Sequence, residues 1–327
     1  MRKFLLAAFV IATIVSCQTK KNTTEEVVLG PNPFITHMFT ADPSARVWKD
    51  GRLYVYPSQD IAPPRGCDLM DKYHVFSTDD MVNWIDHGQI VEAADVPWGK
   101  PLANGATFMW APDCMYKDGK YYFYFPHPSD NPWNSNWKVG IAVSNYPDRD
   151  FVVLDHWLEG LFEGEEAYAM IDPHLFKDCD GTIYFFYGGG DRLAGGRLAD
   201  NMIEMAEPLR MIEGLYDFHE GAWMFKRNGI YYMTYADNHR VEGVGNRNRM
   251  QYAISDNPLG PFESKGVFLD VQSSDTSHGS VVEYKGQWYV FYHTADLSGG
   301  ITNLRSICVD KLFFNEDGTI QMVIQTR

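Results

Sequence analysis

Apolar and polar positions follow one short pattern five times along this chain. Each time an apolar run meets a polar turn, passes a glycine and resumes as a strand rich in aromatic residues: GRLYVYP, GKYYFYF, GTIYFFY, GIYYMTY and GQWYVFY. The turns read Lys49-Asp50, Lys117-Asp118, Cys179-Asp180, Arg227-Asn228 and Tyr284-Lys285, ahead of Gly51, Gly119, Gly181, Gly229 and Gly286. Polar pairs before glycine, set between aromatic and β-branched runs, predict hairpins. A third strand recurs as VFST ending at Ser77, IAVS at Ser144 and YAIS at Ser255, while the third repeat has no clear copy. Three strands with room for a fourth, repeated at glycine intervals of 68, 62, 48 and 57 residues, predict an all-β chain folded as a five-bladed β-propeller. Helical periodicity is nearly absent; residues 163–169 and 198–206 are the stretches expected to carry a turn or two of helix. The third residue after each glycine is tyrosine (Tyr54, Tyr122, Tyr184, Tyr232, Tyr289), and packing between blades explains it.

Counting back nine residues from each glycine gives Asp42, Trp110, Asp172, Glu220 and Ser277. Equal spacing puts these five on one rung. In a propeller the strand before the hairpin lies nearest the axis, so the rung is a ring at one mouth of the channel, holding three carboxylates. Gathering like charges away from water is unfavourable on two counts, repulsion and desolvation. Asp42 and Asp172 precede Pro43 and Pro173, which should hold them extended, and Asp is common in turns. A turn role does not account for Glu220. Two carboxyl groups flanking a bond are what glycoside hydrolysis needs, one to protonate the leaving oxygen and one to activate water or attack. A third near the acid raises its pKa.

The ends and the composition narrow the setting. Arg2 and Lys3 precede an apolar run from Phe4 to Val15, too short to span a bilayer and suited to an export signal. The run closes on Ile14-Val15-Ser16-Cys17, which resembles a bacterial lipobox with Cys17 as the acylated residue. We therefore expect a lipoprotein signal over 1–17, a flexible tether over 18–29 and a propeller domain over 30–327. The product is expected to be exported and held to a bacterial membrane by its lipid alone, on the periplasmic face or at the cell surface. Without residues 1–17 the chain has 26 Lys and Arg against 43 Asp and Glu, a net charge of −17. Such a surface argues against nucleic acid as a partner. Cys67, Cys114, Cys179 and Cys308 are scattered, and a domain of this size buries its own core, so unpaired thiols are expected over disulfides.

The segments FTADPSARVWKDGRLYVYPS, WAPDCMYKDGKYYFYF, AMIDPHLFKDCDGTIYFFYGG, HEGAWMFKRNGIYYMTYA and SHGSVVEYKGQWYVFYH resemble glycoside hydrolase family 43, in its order and with its blade spacing, over roughly residues 32–327. The resemblance implies an inverting glycosidase on a polysaccharide or oligosaccharide, with Asp42 as general base, Asp172 as modulator of pKa and orientation, and Glu220 as general acid. It implies a calcium ion near the axis, with His278 beside it or ligating it; a structural role for His278 is the alternative. Nothing points to an organic cofactor. Arg305, in TNLRSICVD, resembles the late arginine with which family members bind substrate; a surface arginine is the other reading. Trp110 is either a stacking wall for a sugar or a core residue. His37 and Phe39, shortly before Asp42, are candidates to line the same mouth. The string with Arg247 and Arg249 reads as a solvated face, and His74, His87, His127 and His293 have no metal-site spacing. Terminal α-L-arabinofuranosyl groups are the expected substrate, with β-xylosidase, galactofuranosidase or galactanase activity as alternatives. The sequence ends soon after the fifth repeat, without the β-sandwich module that many xylosidases of the family append, and this weighs against a xyloside. A non-catalytic glycan-binding lipoprotein is the alternative of another class, and the intact acid trio weighs against it.

Overall fold

The computed structural model describes residues 27–62, 66–103, 105–130 and 132–327; the signal, Cys17 and most of the expected tether lie outside the described residues. Five antiparallel sheets surround one axis. Blade one holds β1 (Phe39–Val47), β2 (Leu53–Asp60), β3 (Lys72–Thr78) and β4 (Ile85–Glu92). Blade two holds β5 (Asp113–Lys117), β6 (Lys120–Pro128), β7 (Trp137–Ser144) and β8 (Val152–Trp157). Blade three comprises β9 (His174–Lys177), β10 (Ile183–Gly189), β11 (Arg192–Arg197) and the short β12 (Arg210–Met211). Blade four runs β13 (Phe218–Arg227), β14 (Ile230–Asp237), then a small excursion hairpin of β15 (Arg240–Val241) and β16 (Gly245–Asn246), then β17 (Met250–Ser255) and β18 (Glu263–Leu269). Blade five has β19 (Ser280–Tyr284), β20 (Gln287–Thr294) and β21 (Ser306–Leu312). The first strands of the blades touch one another in sequence around a closed ring, β1 to β5 to β9 to β13 to β19 and back to β1. This is the five-bladed propeller the repeats predict.

The hairpins form where the glycines predict them. Asp118-Gly119, Asn228-Gly229 and Lys285-Gly286 all have positive φ at both residues and join directly paired strand ends, the two-residue turn whose twist matches the flanking strands. The recurring tyrosines fall one into each of five apolar clusters between neighbouring blades. Residues alternate along β2: Tyr54 and Tyr56 face blade two, while Leu53 and Val55 face blade five. Tyr289 is fully buried.

Ring closure uses the chain before β1. Asn32 exchanges two hydrogen bonds with the backbone of Val309, Phe34 N–H donates to Ile307 C=O, and Thr40 N–H to Arg305 C=O. The first segment thus lies against β21. Val27 and Leu29 pack on the cluster between blades five and one, so the packed chain includes the last residues of the expected tether. The C-terminal segment, which follows β21, ties blade five to blade four, with Val323 N–H on Phe268 C=O and Tyr232 Oη on Gly318 C=O.

Two local expectations change. The third strand of blade three exists as β11, hidden in the sequence because it reads RLAGGR; a Cβ at Gly195 would come within 2.5 Å of the Phe186 ring, so the aromatic below excludes a larger residue. Residues 164–167 form a single 3-10 turn, but 198–206 forms none. It pairs instead through bridges Leu198 to Met205 and Glu159 to Glu204. The buried thiols of Cys114 and Cys308 are not in disulfides.

Candidate active site

The beginnings of the inner strands meet at one mouth, around a cavity of about 380 Å³ lined by Asp42, Trp110, Asp172, Glu220, His278 and Arg305 among others. Ser277 is also buried. Four of the five rung residues thus meet at this mouth, and Thr276 and His278, which flank Ser277, line it as well.

Backbone irregularities aim the acids. The pairing of β1 with β2 shifts register between Ala41 and Ser44, and that of β13 with β14 shifts on both sides of Glu220. Bulges of this kind redirect side chains and gather near active sites. Asp42 and Asp172 have φ of 50° and 53°. They are left-handed, not extended as the prolines suggest, because the bulge and the turn into the strand override the local preference. That conformation is unfavourable for a residue with a Cβ and is held by the contacts that follow.

Asp42 is gripped from blade five. Arg305 Nη1 donates to its Oδ1 at 3.0 Å and to Thr276 Oγ1 at 3.2 Å. The rest of the guanidinium forks onto Asp60, Nε to Oδ2 at 2.8 Å and Nη2 to Oδ1 at 2.9 Å. Arg305 is thus buried between two carboxylates, and the surface reading fails. His293 Nε2 lies 3.0 Å from the Thr276 carbonyl, which can only accept, so that nitrogen carries the hydrogen. Nδ1 is then free to accept the Asp42 backbone N–H at 3.2 Å. Burial, together with the Arg305 charge, lowers the His293 pKa to about 3, so the 3.4 Å approach of Nδ1 to the Asp42 carboxylate is not an ion pair. Burial alone would raise the Asp42 pKa; the Arg305 charge, the largest opposing influence, outweighs it and holds the carboxyl below its ordinary value.

Asp172 behaves in the opposite way. Burial, then the charge of Glu220, then that of Asp42 push its pKa well above the ordinary range. Its Oδ2 accepts Gly221 N–H at 3.0 Å, which ties it to the backbone next to Glu220. Gly221 has φ of 67°, and a Cβ there would lie 3.1 Å from the His278 ring; only glycine lets the histidine cover this turn. Glu220 faces His219 at 3.8 Å.

His278 Nδ1 lies 3.6 Å from Asp172 Oδ2 and 4.0 Å from Asp42 Oδ1. Burial lowers its pKa against the pull of both Asp42 and Glu220. Trp110 donates its indole N–H to Cys67 C=O at 2.8 Å and packs on Trp137 and Phe108 at 4.8 and 5.3 Å between ring centroids. It is both wall and packing residue. His37 and Phe39 are not brought to the cavity. His37 binds Asp86 Oδ2 on β4 at 2.8 Å, because the chain before β1 arrives from the outer side, and Phe39 pairs with Asp60 in register. Arg249 is no solvated residue: it binds the fully buried Asp237, and Arg247 binds Asp275 at the cavity rim. Among the described residues no group of three or more His, Cys, Asp and Glu is arranged to hold a metal ion.

Below the ring the channel is plugged. Asp113 accepts from Ser44 Oγ at 2.5 Å, Arg46 Nε at 3.0 Å, and the backbone N–H groups of Cys114 and Leu175 at 2.7 and 2.8 Å. His174 Nδ1 stands 3.1 Å from it, and the Arg46 guanidinium lies over Trp223 at 4.3 Å. A substrate entering at the ring therefore meets a closed end.

The comparisons agree with this geometry. The family model for glycosyl hydrolases family 43 matches residues 31–320. A "Xylosidase/arabinosidase" of Bacteroides ovatus is 34% identical over 86% of this chain and 94% of its own. The "Xylosidase/arabinosidase 43A" of Humicola insolens is 33% identical over 88% and 98%. A family 43 β-xylosidase/α-arabinofuranosidase from a compost microbial metagenome, solved with xylotriose in a calcium-free form, superposes with a TM-score of 0.77 at 34% identity, covering 89% of this chain and 96% of that one. With its acid ring, blind cavity and five blades, this chain belongs to glycosyl hydrolases family 43 and is a glycosidase.

Proposed function

We propose that the protein removes terminal α-L-arabinofuranosyl or β-xylosyl groups from oligosaccharides by inversion at the anomeric carbon. The observation that carries this reading is the opposite treatment of two neighbouring buried carboxyls: Arg305 holds Asp42 below its ordinary pKa against the cost of burial, while burial, then Glu220 and Asp42, push Asp172 well above it. An ionised Asp42 takes a proton from water as its oxygen attacks the anomeric carbon. Glu220 gives a proton to the glycosidic oxygen as the C–O bond breaks, so one water is added across the bond. Asp172 positions Glu220 through Gly221 N–H. The plugged channel supports exo action, since a chain cannot thread through. Xylosides stand beside arabinofuranosides in this reading because relatives matched over nearly their whole lengths carry both names.

Calcium fits the cavity in charge. His278 makes no hydrogen bond among the described residues and faces carboxylates that outnumber the one arginine. His278 would stand beside the ion, with the ionised Asp42 supplying carboxylate oxygen and negative charge; a bound ion would add fixed positive charge at the acid ring.

The test is hydrolysis of 4-nitrophenyl α-L-arabinofuranoside, β-D-xyloside and β-D-galactofuranoside, with the anomer of the first product read by NMR. Release of the inverted sugar from either of the first two is expected. Retention removes Asp42 as base, and activity on the galactofuranoside alone overturns the substrate class. Export and lipid anchoring through Cys17 rest on the Ser16-Cys17 junction after the apolar run. A Cys17→Ala protein that still partitions into detergent like the parent overturns the anchor.

A further inference from the structure

The inner strands run from an acidic mouth to a basic one. At their far ends lies a second cavity of about 520 Å³, in the size range of ligand sites. Six residues of β1 and its extension separate Asp42 from Trp48, about 20 Å of strand, and the Asp113–Arg46 plug stands between the two openings. Arg46, Lys49, Lys177 and Lys226 converge here against one acid, Glu283, in a chain whose net charge is −15.

Two of these cations are already matched inside the protein. Arg46 is neutralised by Asp113, and Lys226 Nζ binds Asp178 at 2.8 Å. The other two are not. Lys49 Nζ reaches only the Tyr116 hydroxyl, at 3.3 Å, and that ring's face, while Lys177 forms no ion pair or side-chain hydrogen bond among the described residues. Around them the walls are aromatic: Trp48 and Trp288 are half-buried, and Phe225 sits 5.0 Å from Trp288 between centroids. Half-exposed rings offer the apolar platform on which the C–H face of a sugar packs, and unmatched ammonium groups pair with carboxylates.

We infer that this far mouth is a second, non-catalytic saccharide site that takes a uronic-acid unit, its carboxylate on Lys49 and Lys177 and its ring on the Trp48 and Trp288 walls. The inference rests on the reading of the protein as an enzyme of polysaccharide side chains. It adds an anchor for acidic chains on the face opposite the reaction.

The test uses calorimetric titration of the Asp42→Asn chain, which does not consume its ligand. The probes are a xylo-oligosaccharide bearing one glucuronic acid, the neutral oligosaccharide of equal length, and inorganic phosphate. The acidic sugar is expected to bind at least 10-fold more tightly than the neutral one, less so as salt rises. Lys49→Ala with Lys177→Ala should abolish that preference, Trp288→Ala should weaken it, and hydrolysis of aryl glycosides by the lysine variants in the otherwise unaltered enzyme should not change. Lys49→Glu with Lys177→Glu should reverse the preference toward the neutral sugar. Survival of the preference in either lysine variant, or equal binding of the acidic and neutral probes, overturns the proposal. So does binding of phosphate as tight as that of the sugar, which makes the site one for simple anions. Failure of the enzymatic reading shows separately, as inactive aryl glycosides in the parent chain.

Discussion

Asp42 and Asp113 lie on neighbouring inner strands, both buried against an arginine, and yet they do different things. Asp113 is closely matched: a serine, an arginine and two backbone amides donate to its carboxylate, and a histidine nitrogen stands 3.1 Å away. Its charge is held well below the ordinary range by Arg46, then His174, against the cost of burial. The ring above is left incomplete. Arg305 is shared between Asp42 and Asp60, and Asp172 and Glu220 have no cation of their own among the described residues. Where a carboxylate has an arginine of its own and several donors, the charges hold blades together. Where carboxylates exceed their partners, one keeps its proton and another loses it, which is what acid–base chemistry needs.

The sharpest way to break this comparison is to neutralise each aspartate. Asp42→Asn should lower kcat by about 10²–10⁴-fold or more with little loss of thermal stability, read by aryl glycoside turnover and calorimetry. Asp113→Asn strands Arg46 in the plug and should cost about 3–5 kcal/mol of folding stability, seen as a large fall in denaturation midpoint. Equal stability losses in both variants would erase the distinction drawn here.

Asp172 sharpens it next. Its folded pKa lies above the unfolded value of about 3.8, so the group's contribution is fully favourable below that value and is lost as pH rises through its folded pKa. Asp172→Asn should therefore leave stability near pH 3.5 unchanged relative to the parent and raise it at neutral pH, while activity falls. A variant less stable than the parent at pH 7 would show that the Gly221 hydrogen bond outweighs the charge cost. The smallest effect concerns calcium. Chelation should lower kcat by less than about 10-fold, a loss reversed by added calcium, and His278→Ala should remove the response; an unaltered response in that variant would take His278 out of the site.

Much of the site was legible because a repeat with constant spacing fixes a rung: Asp42, Trp110, Asp172 and Glu220 line the same mouth, as do Thr276 and His278 on either side of Ser277. On the return strands the signal is weaker because the spacing varies. Asp60, His127, Asp237 and His293 lie nine, eight, eight and seven residues after their glycines, at or one place before the strand end, and two of them, Asp60 and His293, hold Arg305 and Asp42 in place. His37 and Phe39 misled because nearness to Asp42 in sequence says nothing about the side from which the chain approaches β1.

The sequence by itself determined the five hairpins, the strand periods, the blade count and the order of the acids, because these depend on local turns and on alternation within one strand. Only the tertiary structure decided which carboxyl is ionised. Arg305 reaches Asp42 across 263 positions and Arg46 meets Asp113 across 67. Pairings at such range follow from ring closure and from bulges that turn Asp42 and Glu220 toward the axis, and the charge of a buried carboxyl depends on what lies within a few ångströms in space.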